Sequence, residues 1–212
     1  VDFYFGGLQV GTADLASLIY NDRYEMTSTG RGTGLASLFT GGRHGTVEAV
    51  GQIKDGTVAP QVYAYSYGTD EQVEQQTKVM FTPDEPIKIV ASPDHEEETR
   101  DEIPLEEQLG TLDPLSSALF HLTLGAGDMP CGETVRIFDG RRRFDLQTKF
   151  LETTSLRKSR YNAYQGEAIK CEALFERIKG FDESQTETVA ATGRERFKRH
   201  TKTYDPAIVW LA

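Results

Sequence analysis

A chain of 212 residues with 38% hydrophobic and 26% charged side chains can build one large packed domain and is too apolar for wholesale disorder. A formal net charge of −10 and a pI near 4.9 leave no broad cationic footprint for displacing counterions from nucleic acid, and disfavour adsorption to anionic membrane surfaces. Apolar runs are short, none approaching the roughly 18 residues of a membrane-spanning helix, so the chain is not expected to span a membrane.

Period-2 alternation dominates from the start. Residues 3–10 and 13–20 read as strands, with Leu15, Ser17 and Ile19 on one face of the second. Asn21-Asp22 supplies a turn into a third strand over Arg23–Thr29. Gly34–Phe39 breaks the rhythm and reads as one helical turn plugging an end of the sheet. Alternation resumes over Gly45–Lys54, Val58–Tyr67, Glu71–Thr82 and Pro86–Ala91, with Asp55-Gly56 as a hairpin turn between the first two. Consecutive short strands joined by turns predict an antiparallel meander, mostly β, as a curved sheet or partly open barrel.

Asp94–Gln108 is acidic at eight of fifteen positions, which predicts a solvated surface loop spanning about 93–110. A helix is predicted over Pro114–Leu124, capped by Asp113 and stopped by Gly125. Leu115, Ala118, Leu119 and Leu122 give it one apolar face to lay on the open side of the sheet. Thr153–Gly166, rich in Ser, Arg and Lys, reads as a second loop. Neither loop demands a domain boundary, so residues 1–212 are taken as a single domain.

The most informative segment is Val135–Leu146. Asp139-Gly140 between two alternating runs predicts a two-residue hairpin turn, which sets Arg136 opposite Arg143 and Phe138 opposite Arg141. One face then carries Val135, Ile137, Phe144, Leu146 and Phe150. The other carries Arg136, Arg141 and Arg143 beside Asp145. Like charges facing each other cost stability unless a partner intervenes, either the chain's own carboxylates, which are abundant, or an external anion or protein partner.

Other constellations fall short of a chemistry. Gly30-Arg31-Gly32-Thr33-Gly34 matches no phosphate-loop spacing, and Ser37 lacks the flanking glycines of a nucleophile elbow. His44, His95, His121 and His200 are scattered; His121 reads as a solvent-side or C-terminal helix position, and the acidic loop lacks calcium-loop spacing. No catalytic residue, metal or cofactor is expected. Cys131 and Cys171 lie 40 positions apart, and spacing alone leaves a disulfide, worth about 3–4 kcal/mol by loop entropy, level with two buried thiols.

The segment from Pro130-Cys131-Gly132 through Val135-Arg136-Ile137-Phe138-Asp139-Gly140-Arg141-Arg142-Arg143-Phe144-Asp145-Leu146 resembles a family of exported bacterial proteins known as domain of unknown function 3108. Phe5-Gly6-Gly7-Leu8-Gln9-Val10-Gly11, Asp113-Pro114-Leu115 and Cys171 are similar to the same family, with alphaproteobacterial members nearest. The resemblance implies a signal peptide already removed, a periplasmic address and a Cys131–Cys171 disulfide. Val1 in place of Met fits a trimmed chain, and the apolar run Ile208–Leu211 suggests that the natural chain continues past Ala212. The function expected is a non-catalytic envelope binding or scaffold protein, taking a lipid or lipoprotein segment in an apolar concavity, as a monomer. The alternatives are a module docking another envelope protein through the basic hairpin face, and an unrecognised hydrolase.

Overall fold

A computed structural model describes residues 2–5, 8–33, 41–54, 56–82, 87–92, 103–121, 131–159, 164–181 and 207–211. The described residues form two antiparallel sheets that do not close into a barrel, together with two short helices. The first sheet is a seven-stranded meander in sequence order: β1 (Asp2–Phe5), β2 (Leu8–Ile19), β3 (Arg23–Gly32), β4 (His44–Lys54), β5 (Thr57–Gly68), β6 (Val73–Met80) and β7 (Lys88–Ser92). The second is four-stranded, with β8 (Thr134–Phe138), β9 (Arg143–Leu156), β10 (Gly166–Lys179) and β11 (Ala207–Leu211) in the order β11-β10-β9-β8. Between the sheets in sequence lie α1 (Leu105–Gln108) and α2 (Pro114–Leu119).

Several predicted boundaries move, each for a local reason. Residues 3–10 are two strands, because β1 pairs antiparallel with β2, Phe5 opposite Leu8. The predicted loop at Thr153 begins later, since Thr153–Leu156 pair with Gly166–Ile169; three of these four side chains are β-branched or apolar and suit a ladder. At the end of the acidic segment Leu105–Gln108 closes one helical turn instead of a loop, with Gln108 Nε2 donating to the Ile103 carbonyl at 2.7 Å. The predicted plug at Gly34–Phe39, the acidic stretch 93–102 and the helix end at Leu122–Gly125 lie outside the described residues.

Register places Tyr24, Met26, Ala49, Tyr63 and Val79 on one inner face of the seven-stranded sheet, and all five are buried. Leu119 of α2 packs into the group formed by Tyr24, Met26, Ala49 and Val58, so the helix covers the sheet as the amphipathic pattern predicts. Phe138 at the end of β8 packs with Tyr63, Val79 and Ile103. The first sheet therefore buries its middle under α2 and under the tip of the β8–β9 hairpin. Cys131 and Cys171, both buried, are joined as a disulfide with Cα atoms 6.2 Å apart, tying the entry to β8 onto the middle of β10.

Candidate functional site

The β8–β9 hairpin has a different register from the predicted one. Arg136 faces Asp145 and Phe138 faces Arg143, a two-residue shift that keeps every side chain on its predicted face but changes its partner. The cause is the turn. Asp139 Oδ1 accepts from the backbone N–H of both Arg141 and Arg142, at 2.9 and 2.7 Å, so the reversal centres on Gly140-Arg141. Gly140 sits at φ 92°, and a Cβ there would lie 2.7 Å from Val79 Cγ2, so this position needs glycine for both conformation and space. The like-charge opposition disappears, replaced by an opposite-charge pair.

The basic face separates into two environments. Arg136 donates to the carbonyls of Leu109 and Glu106 at 3.1 and 3.0 Å and pairs with the Glu107 carboxylate at 3.1 Å. Arg143 donates to the carbonyls of Glu107 and Phe144 and pairs with Asp145 at 2.6 Å. Together they clamp the C-terminal carbonyls of α1, groups that a helix end leaves without intrahelical donors. Arg141 sits apart at the hairpin tip, where burial, followed by the neighbouring Arg142 charge, lowers its pKa. The predicted division into a core face and a polar face fails here: Phe138 and Arg143, on the supposed polar face, are both buried between the sheets.

A buried polar array missed in the sequence anchors α2. Asp113 caps the helix as predicted, accepting from Leu115 and Ser116 N–H at 3.0 and 2.9 Å. Ser116 Oγ donates to Asp113 Oδ2, and Tyr24 Oη lies 2.6 Å from Ser116 Oγ. The chain of hydroxyls thus runs from β3 through α2 into the carboxylate. Ser116 and Ser117, not the apolar Leu115 and Ala118, are the fully enclosed helix residues beside Leu119. The signal was present as Asp-x-x-Ser behind a cap, but periodicity counts only apolar positions.

Burial drives the Tyr24 phenol well above its ordinary range, a shift the Ser116 hydrogen bond opposes and the Asp113 charge reinforces. Burial also raises the Asp113 carboxyl to about 6, against the lowering effect of its Ser116 and Leu115 donors. The folded state therefore holds a proton between pH 4 and 6 that the unfolded state has released. The contribution of Asp113 to stability should be fully present below pH 4 and be lost, on the order of 3 kcal/mol, as pH rises through 6. Denaturation of wild type and Asp113→Asn at pH 4, 5, 6 and 7 tests this; an equal slope in both chains would refute it.

His121, expected at a solvent-side or C-terminal helix position, lies at the C-terminal end of α2 but is buried, and burial pushes its imidazole pKa down while the Glu133 charge opposes. Among the described residues neither ring nitrogen has a hydrogen-bond partner, so no imidazole joins Ser116 and Asp113. Ser116 is enclosed and donates its proton to a carboxylate. The array locks a helix to a sheet. Among the described residues no group of three or more metal-ligating side chains gathers, and no helix is long and apolar enough to cross a membrane.

The exposed apolar side chains lie mainly at the flanks of the seven-stranded sheet. Leu15 and Ile19 on β2 pair in register with Ser28 and Tyr24, hence share the inner face, yet each is 49% exposed. On β7, Ile89 pairs with buried Val79 and is 41% exposed. The family model described as "Protein of unknown function (DUF3108)" matches residues 1–204. No similar curated protein and no similar solved structure is found.

Proposed function

The chain belongs to the DUF3108 family of proteins of unknown function, and we propose that it is a non-catalytic binding protein of the bacterial envelope, working in the periplasm. It takes an acyl chain, from a lipid or a lipoprotein, against the uncovered flank of the inner face. The observation that carries this reading is Ile89, an inner-face side chain in register with the fully buried Val79 but left open to solvent. An apolar row that continues from core to solvent on one face is unusual unless something covers it. The Cys131–Cys171 bond supports an exported address, because buried disulfides persist in oxidising compartments.

Docking through the basic face is the weaker reading, since Arg136 and Arg143 spend their donors on α1 and Asp145. A fluorescent acyl probe should bind the purified chain, and Ile89→Lys, placing an ammonium in the flank, should weaken it at least about tenfold. Absence of probe binding, together with no acyl species in an organic extract of the protein taken from its own envelope, would overturn the proposal.

A further inference from the structure

The tip of the β8–β9 hairpin meets the open flank of the inner face directly. A Cβ on Gly140 would lie 2.7 Å from Val79 Cγ2, 3.2 Å from Thr77 Cγ2 and 3.9 Å from Ile89 Cγ2. The turn therefore rests on the row that runs from buried Val79 to exposed Ile89. The next residue, Arg141, is half-buried, and Tyr65 pairs with Thr77 one row along the same face. Burial and Tyr67 raise the Tyr65 phenol pKa, while the guanidiniums of Arg142 and Arg141 lower it, so both cations act on this face of the sheet.

Charge at this corner has the opposite sign to that of the chain. A Cβ on Gly180 would lie 2.1 Å from the Arg141 carbonyl oxygen, so the end of β10 is packed against the hairpin tip. Arg142 and Arg177 both reach the Phe181 ring, their Cζ atoms 5.8 and 4.4 Å from its centroid. Residues 139–145 and 177–181 together hold five cations, Arg141, Arg142, Arg143, Arg177 and Lys179, against two carboxylates. Those carboxylates are Asp139, which pairs with Arg142, and Asp145, which pairs with Arg143. Glu176 lies on the other face of β10 from Arg177, where Gln147 donates to it. The local sum is positive in a chain of net charge −10.

We propose that the ligand of the flank is an acyl chain with an anionic headgroup, its tail along Ile89 and its phosphate or carboxylate oxygens on Arg141 and Arg142; this assignment rests on acyl binding at the flank. A tail alone would need no cation at the end of its track. An anionic amphiphile approaching a chain of net charge −10 is repelled unless a local cation offsets the field, and a guanidinium fork matches phosphate or carboxylate oxygens in two bonds. A whole anionic bilayer fits less well, because the net charge of the chain disfavours that surface.

Monomeric lysophosphatidic acid should displace the fluorescent acyl probe at a concentration at least about tenfold below that of lysophosphatidylcholine with the same chain. A chain carrying both Arg141→Gln and Arg142→Gln should lose that preference while keeping its lysophosphatidylcholine affinity and its circular dichroism spectrum. In wild type, added sodium chloride should narrow the gap by weakening the anionic ligand alone, a readout that does not depend on how the variant folds. Inorganic phosphate at the same concentrations should not compete. Equal displacement by the two lysolipids at low salt would overturn the anionic headgroup and leave acyl binding standing. Failure of the probe and both lysolipids to bind would overturn the two together. Competition by inorganic phosphate as effective as that by lysophosphatidic acid would make the corner a site for the free ion and sink the proposal, as would flotation with phosphatidylglycerol vesicles in place of monomer binding.

Discussion

Gly51→Ala should cost about 3–5 kcal/mol of stability and lower the urea midpoint accordingly, among the largest effects of any single methyl group added to this chain. Gly51 lies directly across the β3–β4 ladder from Tyr24, whose ring crosses over the glycine to reach α2. A Cβ there would sit 2.3 Å from Tyr24 Oη, 2.5 Å from its Cζ and 2.5 Å from the Ala59 carbonyl. None of these atoms gives way cheaply. The Ala59 carbonyl is strand backbone, and the fully buried phenol is held by Ser116. Moving the ring breaks the hydroxyl chain into Asp113 and leaves buried polar groups without partners, on top of the overpacking cost. In a Tyr24→Leu background the same Gly51→Ala change should cost much less, because the obstructing ring is gone. Equal losses in the two backgrounds would show that the ring is not the obstacle and sink this account.

The contrast between legible and hidden features follows from what a pattern can encode. Alternation located most of the meander strands, and Asp113-Pro114 located the start of α2, because both signals are local and repeat with the geometry they specify. The covering role of α2 followed from its apolar stripe. The hairpin register did not follow, because Asp-Gly is the expected two-residue turn only when its side chain stays out of the backbone; here Asp139 captures two N–H groups and moves the reversal by one residue. The burial of Ser116, Ser117, His121 and Arg143 was equally hidden. Each is a polar side chain whose cover comes from a distant segment, and no periodicity reports which segment that is. Nothing in the alternation of the strands holding Leu15, Ile19 and Ile89 marks these positions as open; only the register against β3 and β6 shows them continuing a buried row into solvent.

Arg143→Ala should destabilise the chain by about 3–5 kcal/mol, and Arg136→Ala by about 1–2 kcal/mol, although the two residues share Glu107. The difference is burial. The Arg143 side chain is 3% exposed against 39% for Arg136. Removing the first leaves the Asp145 carboxylate, 18% exposed, and the Phe144 carbonyl without their buried donor, whereas the Glu107 carboxylate that Arg136 pairs with is 32% exposed. Arg143→Lys should restore little, since one ammonium cannot reach a carboxylate and two carbonyls set around a planar fork. The consequence reaches the sheet. The connector held by these arginines runs through Leu112, whose N–H donates to the Arg136 carbonyl and whose own carbonyl accepts from Phe138 N–H, and then enters Asp113. Loss of the clamp should therefore loosen α2 as well as α1, visible as faster hydrogen exchange at the Ser117 amide, which bonds Asp113. Wild-type stability in Arg143→Ala, with loss of a binding partner, would instead make the basic face a docking site and remove the clamp from the folding account.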